Sequence, residues 1–183
     1  MGVKVITAAT QQIPTVDLRA HCRTGSDEDT LLVAFLAAAV GYAEHYTGRS
    51  FGSQTLELAL DEFPSGAIEL TQGPVSSITS VSYVDSEGAT QTLSDTLYTL
   101  DDYGLTAWVV PAYDTEWPTT LDTANAVKVR YVAGDVPAAV RAALLLMVGN
   151  MFENREESII GTIVSELPLG VKSLLDTVKV WGF

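Results

Sequence analysis

Residues 135–155, DVPAAVRAALLLMVGNMFENR, are the stretch that decides the fold. Apolar residues recur in it at steps of three and four, which is the spacing of one face of an α-helix. They are Val140, Leu144, Met147, Val148 and Met151. We predict that Asp135 or Val136 caps this helix and that Pro137 lies in its first turn, where a missing N–H has no partner to lose. So few positions are polar that the helix must be covered on most sides.

A second long helix is predicted from Ser26 to Gly48. Ser26 and Asp29 have the spacing of a capping box, and Gly48 is a typical C-terminal stop. The apolar face between them consists of Leu31, Leu32, Phe35, Leu36, Ala39, Tyr42, Ala43 and Tyr46. Because Gly41 and Gly149 both lie inside long helices, we expect these helices to cross closely at the two glycines. A tolerated glycine explains Gly149 equally well.

Two short helices are predicted near the ends of the chain. One begins at Pro14 and ends near Arg23, with Gly25 as its stop. The other begins at Pro168 and carries Val171, Leu174 and Leu175 on one side. Residues 1–13 alternate weakly and are expected to form an arm or an edge strand.

Between the long helices the pattern changes from a helical period to alternation. The β-rich stretches are TLELAL at 55–60, AIEL at 67–70, SITSVSYV at 77–84, TQTL at 90–93, LYTL at 97–100, TAWVV at 106–110 and AVKVRYV at 126–132. The turn at residues 85–88, Asp-Ser-Glu-Gly, indicates a hairpin. We therefore predict an α+β fold: one domain of residues 1–183, whose small helical bundle is interrupted by an antiparallel β module at residues 50–132.

The net charge of −13 is concentrated in the β-rich segment. Residues 51–126 contain twelve acids and no Lys or Arg, and the rest of the chain contains eleven acids and ten bases. Such a segment repels a phosphate backbone and does not grip it. A solvated surface that keeps the protein soluble explains the same charge.

The sequence contains no convincing catalytic or metal motif. Residues 48–52, Gly-Arg-Ser-Phe-Gly, match the nucleophile-elbow pattern, but that motif requires a strand before it and a helix after it, whereas here a helix ends. We read Gly48 as a helix cap. His21 and Cys22 are adjacent and point about 100° apart on a helix, which argues against a catalytic dyad. Neither metal-ligand spacing nor a phosphate-binding loop is present, so we expect no enzymatic activity, cofactor or metal.

Nothing in the sequence predicts a membrane span or a targeting segment. The longest apolar run, residues 31–43, is far shorter than the roughly 20 residues that cross a bilayer. The single cysteine excludes an internal disulfide. We expect a protein without a membrane partner.

Two apolar segments near the C-terminus have no obvious cover. Ile159 and Ile160 lie on a predicted loop, where they either pack on the core or are offered to another chain. Trp181 and Phe183 lie at the end of the chain, and leaving them in water forgoes roughly 2–3 kcal/mol each. We expect this tail to be docked, either on its own chain or on a partner.

The order of these features resembles the tailed-phage head–tail connector, or adaptor, family in its longer form with a β insertion. The residues that carry the resemblance are Tyr46-Thr47-Gly48-Arg49, Val109-Val110-Pro111-Ala112-Tyr113, Trp117-Pro118, Val136-Pro137, Glu153-Asn154-Arg155-Glu156, Glu166-Leu167-Pro168-Leu169-Gly170-Val171, Leu174-Leu175 and Val180-Trp181. They span most of the chain. Compact members of the family lack the β module, so the resemblance implies least about the role of residues 50–132.

This resemblance implies a structural virion protein with several partners. Roughly a dozen copies would form a closed ring between the portal protein and the next neck, stopper or tail protein. DNA would pass through the ring without sequence-specific binding, and the ring would assemble in the bacterial cytoplasm and reside in the virion neck. The expected interface residues are Glu153, Asn154, Arg155, Glu156, Ile159, Ile160, Leu167, Pro168, Leu169, Val171, Leu174, Leu175, Trp181 and Phe183.

Two alternatives remain open at this point. The protein could be a different neck or tail-completion protein of the same particle, which differs only in its neighbours. It could also be a small enzyme or a ligand-binding β module, in which case Trp108, Tyr113 and Trp117 are expected to line a pocket.

Overall fold

The computed structural model of the chain describes residues 2–155 and 169–180. It contains two compact units. Unit 1 consists of Met1–Thr10 and Gly52–Asp135, and unit 2 consists of Gln11–Phe51 and Val136–Phe183. Unit 1 is built from strands and unit 2 from helices, so the α+β class predicted from the sequence is confirmed.

The helices of the described part of unit 2 are α1 (Thr15–Cys22), α2 (Asp29–Thr47), α3 (Ala138–Glu153) and α4 (Leu169–Asp176). Their apolar faces share one core. It includes Leu18 from α1, Leu36 from α2, Leu144 from α3 and Leu175 from α4. All four are buried, which explains why α3 is apolar around most of its circumference.

Three predicted details at the helix ends are wrong. A 3₁₀ turn at Ser26–Glu28 precedes α2, and no capping box forms, because the Asp29 carboxylate instead accepts a 2.6 Å hydrogen bond from Arg19 Nε. Helix α1 ends with Arg23 in the left-handed conformation (φ 54°), two residues before Gly25. Helix α3 begins at Ala138, with Pro137 as its N-cap. Gly48 does end α2, as predicted (φ 69°).

The predicted crossing of α2 and α3 at their interior glycines is also wrong. Gly41 is exposed, and a Cβ atom built on it would meet nothing within 4 Å. A Cβ atom on Gly149 would lie 2.9 Å from His21 Nε2. Gly149 therefore makes room for a side chain of α1, and Gly41 has no packing role of this kind.

Unit 1 contains eight strands in its described part. They are β1 (Gly2–Thr7), β2 (Gln54–Leu60), β3 (Ile68–Leu70), β4 (Val75–Val84), β5 (Thr90–Thr92), β6 (Tyr98–Asp101), β7 (Ala107–Pro111) and β8 (Val127–Ala133). A five-stranded sheet has the order β1-β2-β8-β4-β5, and a three-stranded sheet has the order β3-β7-β6. All pairings are antiparallel. Residues 1–13 thus supply an edge strand, β1.

The predicted hairpin at residues 85–88 joins β4 to β5. The Asp85 carboxylate accepts hydrogen bonds from the side chain of Gln91 and from the backbone N–H groups of Glu87 and Ala89. These bonds, that of Gln91 foremost, lower the pKa of Asp85 and keep it charged. The side chain of Asp85, the first residue of the predicted turn, therefore stabilises that turn.

Gly134 marks a close approach of two backbone segments within unit 1. Its φ is +107°, and a Cβ atom on it would overlap the carbonyl oxygen of Gly52. The Gly134 N–H donates a 2.9 Å hydrogen bond to the carbonyl of Pro74. Only glycine fits at this position.

Candidate assembly surfaces

The C-terminal end of α3 carries the first group of predicted interface residues, Glu153, Asn154 and Arg155. All three are exposed. The Arg155 guanidinium lies 4.3 Å from the centre of the Phe152 ring, and its Nη2 donates a 3.0 Å hydrogen bond to Glu28 Oε1. Arg155 thus ties the end of α3 to the turn before α2 and still presents part of its side chain at the surface.

Helix α4 divides its predicted interface residues between the core and the surface. Val171 and Leu175 are fully buried in the core of unit 2, and Leu174 is half-buried beside them. Leu169 is 85% exposed. The apolar stripe of α4 therefore packs mainly on its own unit, and Leu169 is the side chain of this group that is open to a neighbour.

The segment that follows α4 is held at the C-terminal end of α2. The Tyr46 hydroxyl donates a 2.6 Å hydrogen bond to Asp176 Oδ1, and Lys179 Nζ lies 4.1 Å from the centre of the Tyr46 ring. The bond to Asp176, with burial as a smaller cause, raises the pKa of Tyr46 to about 12. The Val180 N–H donates to the carbonyl of Thr47 at 3.0 Å. These contacts place the last described residues on unit 2.

The other predicted interface residues lie outside the described residues. They are Glu156, Ile159, Ile160, Leu167, Pro168, Trp181 and Phe183. Their predicted roles, including the docking of the C-terminal tail, stay predictions.

Several exposed apolar side chains are not evident from the sequence pattern. Tyr103 and Leu105 protrude from the turn between β6 and β7, and Tyr113 protrudes just after β7, with exposed fractions of 101%, 67% and 101%. In unit 2, Val16 and Leu146 are also exposed, with exposed fractions of 64% and 45%. The exposure of Tyr103 and Leu105 could have been predicted, because both are apolar residues inside a turn sequence, Asp-Asp-Tyr-Gly-Leu at residues 101–105.

The acids of unit 1 are mostly at the surface. The exposed ones are Asp61, Glu62, Glu69, Glu87, Asp95, Asp101, Asp102, Asp114, Glu116, Asp122 and Asp135. Within the described ranges, no group of three or more His, Cys, Asp or Glu side chains is arranged to hold a metal ion. This acidity acts at long range on charged partners: it repels polyanions and attracts cations.

The side chains that could have served as nucleophiles are placed unfavourably for chemistry. Ser50 is only 2% exposed and follows the end of α2, with no helix after it. Burial raises the pKa of the Cys22 thiol, and the charge of Glu153 raises it further, so the reactive thiolate is disfavoured. His21 is exposed and lies against Gly149.

The three aromatic residues proposed for a ligand pocket have separate surroundings. Trp117 stacks on Phe63 with ring centres 4.9 Å apart, and its Nε1 donates to the carbonyl of Gly66 at 2.7 Å. Trp108 lies on the outer face of the three-stranded sheet, and Tyr113 is fully exposed. Trp117 is therefore a packing residue of unit 1.

The helices of the described ranges include none that is both long and apolar enough to cross a membrane.

Neither a protein-family model nor a curated protein sequence matches the chain. Solved structures match its fold along the whole length. A chain in the neck of an empty gene transfer agent particle, computed with C6 symmetry, is 22% identical with a TM-score of 0.82, and the match covers 100% of this chain and 97% of that one. A chain in the virion of the native particle is 22% identical with a TM-score of 0.81, over the same shares of both chains. A chain in the native neck, computed with C12 symmetry, is 20% identical with a TM-score of 0.79, again over 100% and 97%. The protein therefore has the fold of these gene transfer agent chains.

Proposed function

We propose that this chain is a structural protein of the neck of a phage or gene transfer agent particle, and that it is not an enzyme. It forms a ring between the portal protein and the next neck or tail protein, and the ring extends the channel through which DNA leaves the head. The observation that carries this proposal is the agreement of fold over the full length with chains of gene transfer agent particles. A partial match would have left one of the two units without a counterpart.

The symmetry of the similar structures supports a cyclic homo-oligomer. Two of them come from necks computed with C6 and C12 symmetry. A closed ring of roughly a dozen copies requires two different surfaces on each copy, one for each neighbour. The exposed end of α3 at Glu153, Asn154 and Arg155, together with Leu169, supplies candidate contacts in unit 2.

The charge of the protein suits a passage for DNA. The net charge is −13, and eleven acids of unit 1 are exposed. A wall of this charge repels the phosphate backbone, so DNA is kept from adhering while it moves. Sequence-specific binding is not expected, since it needs basic side chains that reach the phosphates and the base edges.

A different neck or tail-completion protein of the same particle is the nearest alternative, and it differs in its neighbours alone. Purified protein, imaged by negative stain and sized by light scattering both alone and with the portal protein, tests the proposal. We expect closed rings, either free or seated on the portal. A monomer that also fails to bind the portal protein would contradict it.

A further inference from the structure

The two sheets of unit 1 turn their outer faces in opposite directions. Their inner faces share one core, to which the five-stranded sheet contributes Leu58 and Val129 and the three-stranded sheet contributes Leu70 and Val109. Side chains alternate along a strand, so the residues between these point away from the core. Unit 1 therefore presents two separate sheet faces to its surroundings.

All the bases of unit 1 lie on the outer face of the five-stranded sheet. Lys4 on β1 is opposite Glu57 on β2, which is opposite Arg130 on β8. Lys128 lies two residues before Arg130 and is therefore on the same face. Lys4, Lys128 and Arg130 are exposed, and we call them the basic face. Glu57 neutralises one of them through a 2.6 Å bond from Arg130 Nε, which leaves an excess of two positive charges.

A shallow depression lies within the basic face. Its volume is about 350 Å³, and Lys4, Glu57, Ala59 and Lys128 are among the residues that line it. Because the two lysines flank a recess with a small residue between them, this face can receive a protruding side chain from a partner.

The outer face of the three-stranded sheet has the opposite charge. Trp108 on β7 lies directly between Glu69 on β3 and Asp101 on β6. Both carboxylates are exposed, and Trp108 is 37% exposed. We call these three residues the acidic face. An indole flanked by two carboxylates is a surface that attracts ammonium and guanidinium groups, through charge and through the π face of the ring.

The two faces match each other in spacing as well as in charge. On each of them, two charged residues lie on strands separated by one intervening strand, which places those strands about 10 Å apart. Glu69 and Asp101 flank β7, and Lys4 and Lys128 flank β2. Unit 1 has thirteen acids and three bases, so copies placed side by side would repel each other unless the few bases met acids.

We propose that the basic face of one copy docks on the acidic face of the next copy, with Trp108 covered by a lysine of the neighbour. Such head-to-tail contacts join two different surfaces and generate a ring when the rotation closes. This inference rests on the proposed ring and specifies which surfaces of unit 1 form its subunit contact. The occupant of each face is thus a second copy of this chain.

Charge reversal tests this pairing. The variant K4E/K128E carries acids on both faces, and the variant E69K/D101K carries bases on both faces. Self-association of each is measured by mass photometry and sedimentation velocity, alone and on the portal protein, at low and high salt. We expect each variant to associate at least about tenfold more weakly than the wild type, since like charges then meet across the contact. Mixed in equal amounts, the two variants should assemble again, because every contact between unlike copies is complementary.

Two further variants control for the change in net charge and for repulsion at Glu57. E62K/D122K changes the net charge as much as E69K/D101K does, but on exposed residues outside both sheet faces, and it should assemble like the wild type. K4S/K128S removes the positive charges without placing new acids beside Glu57, and should still lose affinity.

Trp108→Ala should weaken association by about two- to thirtyfold. Thermal unfolding of every variant checks that unit 1 is intact.

The outcomes separate this inference from the proposed ring. If both charge-reversed variants form the same rings as the wild type, the pairing of the faces is wrong and the ring proposal still stands. Failure of the mixed variants to assemble would also overturn the pairing. Loss of DNA retention in K4E/K128E with unchanged assembly would show that the basic face binds phosphates instead. A wild type that assembles neither alone nor on the portal protein would contradict both proposals.

Discussion

The backbone around Gly134 leaves no room for a side chain. A Cβ atom there would overlap the carbonyl oxygen of Gly52, and the φ of +107° is itself unfavourable for other residues. We expect Gly134→Ala to destabilise unit 1 by about 3 kcal/mol or more, from strain and overpacking together. Gly88→Ala is the matched control: its φ is also positive (+84°), but it has open space, so it should cost about 1–2 kcal/mol. Urea unfolding of both variants measures the difference, and equal losses would refute the close approach.

Gly149 is expected to behave differently from Gly134. The atom that a new Cβ would meet, His21 Nε2, is the end of an exposed side chain that can turn away. Alanine also favours the helix, so Gly149→Ala should stabilise unit 2 by about 0.5–1 kcal/mol, and His21→Ala should add little to that gain. Thermal unfolding of the single and double variants provides the measurement. A loss of more than about 1 kcal/mol in Gly149→Ala that His21→Ala relieves would mean that His21 is held in place.

Glu44 is a partly buried acid whose ionised form is disfavoured. Burial raises its pKa, and the 2.8 Å hydrogen bond from the Phe51 N–H opposes this only in part. A raised pKa means that the folded state binds the proton more tightly than the unfolded state does, so protonated Glu44 contributes to stability. This contribution is fully present below the ordinary glutamate pKa and is lost as the pH rises through the folded pKa. Glu44→Gln keeps a hydrogen-bond acceptor and removes the charge. We expect the variant to unfold at a higher temperature than the wild type at pH 7 and at a similar one near pH 4; a lower unfolding temperature at pH 7 would contradict this.

Helix α4 belongs to the core of unit 2, and this changes what its removal should do. Residues 167–183 contain most of the expected interface residues, so from the sequence alone we expect their deletion to leave a folded but assembly-defective protein. Because Val171 and Leu175 are fully buried, the same deletion should now also destabilise unit 2. The apolar period of α4 identifies the right residues, but a buried stripe looks the same in sequence whether its own chain or a partner covers it.

Point substitutions in α4 separate stability from assembly. Leu175→Ala should destabilise unit 2 by about 2–5 kcal/mol, because it leaves a cavity in the core. Leu169→Ala should leave thermal unfolding nearly unchanged, since this side chain is 85% exposed, and should affect only the binding of partners. If both variants unfolded like the wild type, α4 would not be packed as described.

The bounds of strands β2–β8 can be predicted to within two residues from the sequence, and the start of α2 cannot. Alternation and turn residues are local signals, so the predicted bounds of β2 and β8 agree within one residue with those observed. The start of α2 depends instead on Arg19, ten residues away, which takes the Asp29 carboxylate from its expected capping role. Interior glycines are ambiguous for the same reason: Gly41 and Gly149 have similar local sequence patterns, and their neighbours in space determine their roles.

For the molecule as a whole, the proposed neck ring explains both the acidic surface and the lack of a catalytic motif in the sequence. The family resemblance, and not composition, suggests this function from the sequence, since acidity alone is equally typical of an ordinary solvated surface. The basic face could not have been found from sequence order. Lys4 and Lys128 are far apart in the chain, and the pairing of β1, β2 and β8 brings them to one face.

The most direct test of the account is cryo-electron microscopy of the neck of intact particles that contain this protein. We expect a closed ring of roughly a dozen copies at the exit of the portal, enclosing the DNA channel, with the subunits related by the cyclic symmetry of a head-to-tail ring. A neck whose density is fully explained by other proteins, with this chain elsewhere in the particle or absent from it, would contradict the central claim.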